Sequence, residues 1–323
     1  MIQQLDDDNT QLIWSAWNLV NSNGCYTSRY NGYSLRDLKN CTSIRAHFHV
    51  EQLNTVTMTN LYQVVNITGS FRITQANDYK DGSFMKNLTR ITQISNAHPG
   101  LMITGTNRGE GQDMNRFKMP NLKYLESSCC GKIFHVVIES VDDDFCLYSE
   151  EMELFLQPQV VFDVYEKGFC KNDTRSDGEI TCDYTDLQSL PSNCQHIIGD
   201  VVITKGDEVY TDKLISVKNI FGLLIINRTN LDNLDFLGNL TRVASQNRMA
   251  GIQIIFNRVL RRGTLPNLQR VYSPKAPHIL IEDNHNDLKY TDMCDKLIST
   301  LKMTEVLFEG GQCGEFYRLD SVK

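Results

Sequence analysis

The stretch "NCQHIIGDVVI", residues 193–203, decides the fold, because "NCTSIRAHFHV", residues 40–50, lays out the same plan. Aligning Cys194 with Cys41 sets Ile197 on Ile44, Val201 on Phe48 and Ile203 on Val50. The register holds downstream: Leu61 meets Leu214, Val64 meets Val217, Ile67 meets Ile220, Gly69 meets Gly222, Phe71 meets Leu224 and Ile73 meets Ile226. After one deletion "FMKNLTRI" (84–91) meets "FLGNLTRV" (236–243), "MPNLKYL" (119–125) meets "LPNLQRV" (265–271), and "HVVIE" (135–139) meets "HILIE" (278–282). Agreement kept through so many apolar positions marks a tandem duplication.

Short alternating strands recur within each repeat: "FHV", "GSFRI", "PGLMI" and "HVVI" in the first, "DVVI", "GLLII", "GIQII" and "HILI" in the second. None is long enough to bury a face alone, so successive passes must stack and pair in parallel; the spacing predicts a β-solenoid in each half. Gly69 and Gly222 fall where a side chain would obstruct the turn into a strand. A capping helix is expected at the start of each solenoid. "SLRDLKNC" (34–41) has Leu35 and Leu38 on one face and Asp37 three residues after Ser34, and "TDLQSLPSNC" (185–194) repeats the paired leucines.

At 323 residues, 41% apolar and 22% charged, the chain has room and composition for two globular cores. A net charge of −7 argues against nucleic acid and anionic membranes, which recruit clustered Lys and Arg. The longest apolar run, "IFGLLII" (220–226), falls short of the roughly 18 residues of a spanning helix, so no membrane insertion by this chain is expected.

Ten cysteines stand at Cys25, Cys41, Cys129, Cys130, Cys146, Cys170, Cys182, Cys194, Cys294 and Cys313, with no C-x-x-C among them. That disfavours zinc ribbons and suits disulfides formed outside the cytosol. Cys25 with Cys41 would staple the first cap to its first strand, closing a loop worth about 3 kcal/mol in the chain-entropy account. Cys194 has two candidate partners, Cys170 and Cys182; Cys129 or Cys130 with Cys146, and Cys294 with Cys313, would close the far ends. Asn-x-Ser/Thr sequons at Asn40, Asn66, Asn87, Asn172, Asn227 and Asn239 fit an exported glycoprotein. The acidic start "MIQQLDDDNTQLIWSAW" carries no secretory signal, so a mature or truncated chain is expected.

A cysteine-closed N-terminal helix, then "NC-x-x-I-x-G-x-x-x-I", "L-x-x-V-x-x-I-x-G-x-L-x-I" and "F-L-x-N-L-T-R-V" over residues 193–243, resembles the receptor L domain of the insulin and epidermal growth factor receptor family. The first repeat keeps most of this pattern but has Ala46 in place of a glycine. The resemblance covers about residues 25–316 and implies two tandem right-handed β-helices of leucine-rich-repeat-like type: a segment 1–24, a first L domain over 25–160 and a second over 161–323. Too few residues separate the repeats for a furin-like region, and no kinase follows. The implied role is extracellular or cell-surface, non-catalytic binding of a peptide or protein ligand, of insulin-like or growth-factor-like type, or of a signalling co-receptor, with no cofactor. A structural or adhesive module is the first alternative, and a β-helix polysaccharide-active enzyme the second.

Other candidate chemistry reads as surface. His47 and His49 share a strand face without a third ligand nearby, so no metal site is expected. The "DDD" runs (6–8 and 142–144) lack the pattern of a calcium loop, "GTNRGEGQD" (105–113) lacks the ending of a phosphate loop, and vicinal Cys129 and Cys130 read as structural rather than as a redox switch. A hydrolase would want paired carboxylates on a sheet face, and the outward positions supply one, Glu51. Those outward positions form the expected ligand-binding face: His49, Glu51, Arg72 and Thr74 in the first repeat, and an apolar patch of Leu223 and Ile225 in the second, with a glycan on Asn227 placed to cover it.

Overall fold

A computed structural model describes residues 41–313, except 46, 52–58, 60, 75–80, 106–113, 140, 142, 166 and 302–303. Cys25, Asn40, the first expected capping helix and most of the 105–113 loop lie outside the described residues. The chain divides into two compact units, Met1–Leu147 with Gln159–Glu166, and Tyr148–Pro158 with Lys167–Lys323.

In the first unit the strands Ser43–Arg45, Asn66–Thr68, Arg90–Gln93 and Tyr124–Ser127 pair in parallel in that order. A larger parallel sheet runs Phe48–Glu51, Phe71–Thr74, Leu101–Thr104, Phe134–Glu139 and Val160–Tyr165. Alternation decides which side chains go in. Phe48 pairs with Phe71 and Phe71 with Leu101, while Val50 pairs with Ile73 and Ile73 with Ile103, and all are buried. Each such side chain contributes about 1.5–3 kcal/mol on burial.

The second unit repeats the plan. A five-stranded parallel sheet runs Thr181–Asp183, His196–Ile198, Asn219–Phe221, Arg242–Ala244 and Arg270–Tyr272. A six-stranded sheet runs Val201–Ile203, Leu224–Asn227, Ile252–Ile255, Ile279–Glu282 and Val306–Phe308 in parallel, and closes with the antiparallel Gly311–Gln312. The apolar pairs aligned from Ile44 and Ile197 to Ile73 and Ile226 are buried in both units.

The corners explain the recurring short words. In "NL", the leucine (Leu88, Leu122, Leu240, Leu268) is buried and the asparagine amide reaches a carbonyl of the preceding pass: Asn87 to Tyr62 at 2.6 Å, Asn121 to Lys86 at 2.6 Å, Asn239 to Ile215 at 2.8 Å and Asn267 to Gly238 at 2.6 Å. At Gly222 an added Cβ would lie 2.2 Å from the Gly199 carbonyl oxygen, so two passes meet there with room for no side chain. At the far corner Arg228, Phe256 and Asp283 take positive φ. The residues that follow them, Thr229, Asn257 and Asn284, are buried and hydrogen-bonded to one another.

The expected β-solenoid of two right-handed, leucine-rich-repeat-like β-helices with short capping helices is corrected by these sheets. Strands of two to six residues are partitioned among separate, mostly parallel sheets rather than wound as one regular coil, and the six-stranded sheet ends in an antiparallel pair. The reason lies in uneven passes: register partners Ile44, Ile67, Ile91 and Leu125 are unequally spaced along the chain, and strand spacing alone does not say how sheets divide. The capping helix expected over 185–194 is a turn, in which Asp186 Oδ1 accepts from Ser189 N at 2.7 Å before Pro191.

Helices occur elsewhere. α1, Ser149–Phe155, has Glu150 and Glu151 in its first turn, where the helix dipole favours them, and Glu151 Oε2 accepts from Tyr148 N at 3.0 Å. It buries Met152, Leu154 and Phe155. α2, Met293–Thr300, buries Met293, Cys294 and Leu297 on one stripe.

Candidate binding faces

Each larger sheet has an inner face that forms core and an outer face that carries the intervening residues. In the first unit the outer row reads His49, Arg72, Met102, Val137 and Val164 in strand register. The next row pairs Glu51, Thr74, Thr104 and Glu139. His49 and Arg72 are exposed, and His49 Nε2 lies 2.6 Å from Thr74 Oγ1, a diagonal contact across neighbouring strands. The four residues singled out in the first repeat thus have backbone positions in one corner of one sheet. Further along this face His135 Nδ1 lies 3.0 Å from Asp163 Oδ1, and at the edge His47 Nδ1 lies 2.7 Å from Ser70 Oγ.

The second unit's outer row is of another kind: Val202, Ile225, Gln253, Leu280 and Leu307. Val202 is 40% exposed, Ile225, Leu280 and Leu307 are half-buried, and Gln253 is buried with its amide donating to the Ala250 carbonyl at 3.2 Å. Four of five positions are aliphatic, so the row is an apolar stripe crossing five strands. The expectation for Leu223 is corrected: it is 3% exposed, because the strand begins at Leu224 and the Leu223 N–H is tied to Asp200 Oδ1 at 2.8 Å. Asn227 lies one row over, half-buried, in register with Ile255.

Met102, Val137, Val164, Leu280 and Leu307 escaped the sequence reading, which carried outward positions only over the first strands of each repeat. The alternation in "LMIT", "HVVIE", "ILIE" and "VLF" was the signal available.

Cystine closes the second unit. Cys182 pairs with Cys194 and Cys294 with Cys313, and Cys41, Cys129, Cys146 and Cys170 are also disulfide-bonded. The choice left open for Cys194 thereby falls to Cys182, with Thr181–Asp183 strand-paired to His196–Ile198 so that Cys182 sits beside Ile197. Among the described residues no group of three or more His, Cys, Asp or Glu is arranged to hold a metal ion, and no helix is long and apolar enough to cross a membrane.

Duplicated parallel-sheet units, cystine-closed and presenting one broad outer face each, define a class of rigid display scaffold. The receptor L domain model matches residues 40–157 and 193–299, and the chain belongs to that family, with two L domains in tandem. Receptor L domains are extracellular, non-catalytic modules that bind protein ligands in receptors. No curated protein matches the chain.

Proposed function

We propose that this protein is an extracellular, non-catalytic, receptor-like module that takes a peptide or protein ligand of insulin-like or growth-factor-like type on the outer faces of its larger sheets. The observation that carries the reading is the register-aligned stripe Val202, Ile225, Leu280 and Leu307, accessible apolar surface held on rigid strands so that little ordering entropy is spent on binding. The first unit's His49, Arg72 and Thr74, with Glu51 in the same register, supply a polar counterpart, which suits a ligand or co-receptor of different chemistry. Of the exposed sequon residues Asn87, Asn172 and Asn239, the first and last spend their amides on carbonyls of the preceding pass, so Asn172 is the position best presented for a glycan in this reading.

The test is binding of a panel of insulin-like and growth-factor-like peptides to immobilised protein expressed through a secretory route. Binding that drops at least tenfold in Ile225→Asp or Leu280→Asp, with an unchanged melting temperature, supports the reading. Concentration-dependent self-association without peptide binding would instead make the chain an adhesive module.

A further inference from the structure

Away from these faces the second unit buries a cluster of titratable side chains centred on His196, in the stretch that announces the repeat. His196 is 1% exposed and stands in register between Thr181 and Asn219 on the outer side of the five-stranded sheet. Its Nε2 lies 2.7 Å from Glu179 Oε2, and its Nδ1 lies 3.0 Å from Asn219 Nδ2 and 3.5 Å from Glu153 Oε1. Asn219 assigns the tautomer. Its amide donates one proton to Glu153 Oε1 at 2.9 Å and the other to His196 Nδ1, while its Oδ1 accepts from Thr241 Oγ1 at 2.7 Å. Nδ1 is therefore the acceptor, the ring proton sits on Nε2 facing Glu179, and the imidazole is neutral.

Three elements converge here. α1 contributes Glu153; the segment 168–180 contributes Arg175, Asp177 and Glu179; the third strand of the sheet contributes Asn219, with Lys218 just before it and Arg242 next in register. Lys218 pairs with Glu179. Arg175, with its side chain 4% exposed, bridges Glu153 at 2.7 Å and Asp177 at 2.6 Å and donates to Ser149 Oγ at 3.1 Å. The start of α1 is tied to the same segment by Asp173 Oδ2, which accepts from Ser149 N at 2.7 Å, and by Glu150, which accepts from Ser176. Polar bonds to the segment around 173–179, most of them to carboxylates, thus hold the outer side of this helix.

We propose that His196 is the proton sensor of a latch that holds α1 and the segment 168–180 on the sheet, and that mild acid opens it. A second ring proton would arrive on Nδ1, where an Asn219 N–H already points. To receive it the amide must turn, giving up Glu153 and Thr241, and a buried imidazolium would face Arg175 without water. Burial is the largest cause holding the His196 pKa below its usual value; Arg175 acts in the same direction, against Glu179 and Glu153. In the opened state the imidazole is solvated and titrates near 6.5. The closed state binds fewer protons across that interval, so closure is fully stable above about pH 6.5 and weakens as pH falls below it. That range separates a neutral extracellular medium from an acidified vesicle, so internalisation would release the helix. The latch stands independently of the ligand reading.

Amide hydrogen exchange of the full chain at pH 7.4 and 5.5, corrected for the intrinsic pH dependence of exchange, tests this. Protection of 149–155 should fall several-fold at pH 5.5 relative to peptides from the six-stranded sheet, about tenfold being the ceiling for one proton that titrates near 6.5 in the opened state. His196→Gln, which keeps a donor for Glu179 and an acceptor for Asn219 but does not titrate, should abolish that fall. Unchanged wild-type protection, or an equal fall in H196Q, overturns the proposal. Should H196Q not fold, the imidazole 15N shifts of the wild-type chain decide. A ring that becomes doubly protonated while α1 stays protected overturns the latch; coincident protonation and loss of protection support it.

Discussion

Asn257 Oδ1 accepts from both the backbone N–H and the hydroxyl of Thr229, at 2.9 and 2.8 Å, so a wholly buried amide on one pass fastens the corner of the pass before it. The amide nitrogen of Asn257 reaches the Ile226 carbonyl at 2.9 Å and Asn284 Oδ1 at 3.0 Å, and Asn284 in turn donates to the Ile254 carbonyl at 2.8 Å. This internal ladder satisfies the corner backbone that the positive-φ residues Arg228, Phe256 and Asp283 would otherwise leave unpaired away from water. Replacing Asn257 with Ala removes the partners of several buried groups at once, each costing about 1–3 kcal/mol when orphaned. Urea unfolding of N257A should show a loss of about 3 kcal/mol or more, larger than for the exposed corner residue Asn267→Ala.

Gly222→Ala should be as damaging for a different reason. Its Cβ would collide with backbone, the Gly199 carbonyl oxygen at 2.2 Å, and neither strand can retreat without breaking its pairing. Overpacking of this kind costs about 1–3 kcal/mol or more. Gly168→Ala, where no atom lies within 4 Å of the added carbon, should stay within about 0.5 kcal/mol, and thermal melts of the two variants compare them directly.

The Cys182–Cys194 bond closes a loop of sequence separation 12 at the first edge of the second unit. Serine at both positions should lower stability by about 2–4 kcal/mol. The loss should be read by denaturant midpoint against the Cys294→Ser/Cys313→Ser pair, which frees α2 from the last strand instead.

The inner layer was legible because strand alternation is local: Ile44, Phe48 and Val50 announce their burial by spacing alone, and their counterparts 153 residues on do the same. What escaped depends on partners remote in sequence. Asn257 and Asn284 look like loop asparagines until the passes stack, and His196 looks like one more strand residue until Glu153, Glu179 and Asn219 close around it. Alternation extended one residue back from the strand points Leu223 outward, but that residue lies in the bend that Asp200 holds, where the alternation no longer applies. Likewise, recurrence of strands gave their parallel stacking but not their division into separate sheets.

On the binding faces the two units should respond to opposite substitutions. The stripe of the second is apolar, so Leu280→Asp should weaken ligand capture at least tenfold, while in the first Arg72→Glu should do so through charge and Arg72→Leu less. Raising salt from 0.05 to about 0.5 M should weaken only the contribution of Arg72, because surface charge is screened and apolar contact is not. Equilibrium binding of each variant at both salt concentrations measures this.

Alkaline and acid limits of stability should be set partly by buried groups of the last passes. Burial pushes the Tyr272 phenol up to about 12, against an ordinary value near 10. The folded state therefore holds its proton where the unfolded state loses it, so stability present below pH 10 is lost as pH rises toward 12. His278 moves the other way: burial first, then Arg270, lowers its pKa, and its Nδ1 accepts from the Glu305 N–H at 2.9 Å, a bond only the neutral ring can accept. The folded state here binds fewer protons than the unfolded one just below pH 6.5, and stability falls as pH drops through that value. Denaturant midpoints from pH 5 to 11 should thus decline at both ends. Tyr272→Phe should flatten the alkaline decline, and His278→Asn, which keeps an acceptor near Glu305 N, should flatten part of the acid one. A variant profile parallel to wild type at its own end would remove that residue from the account.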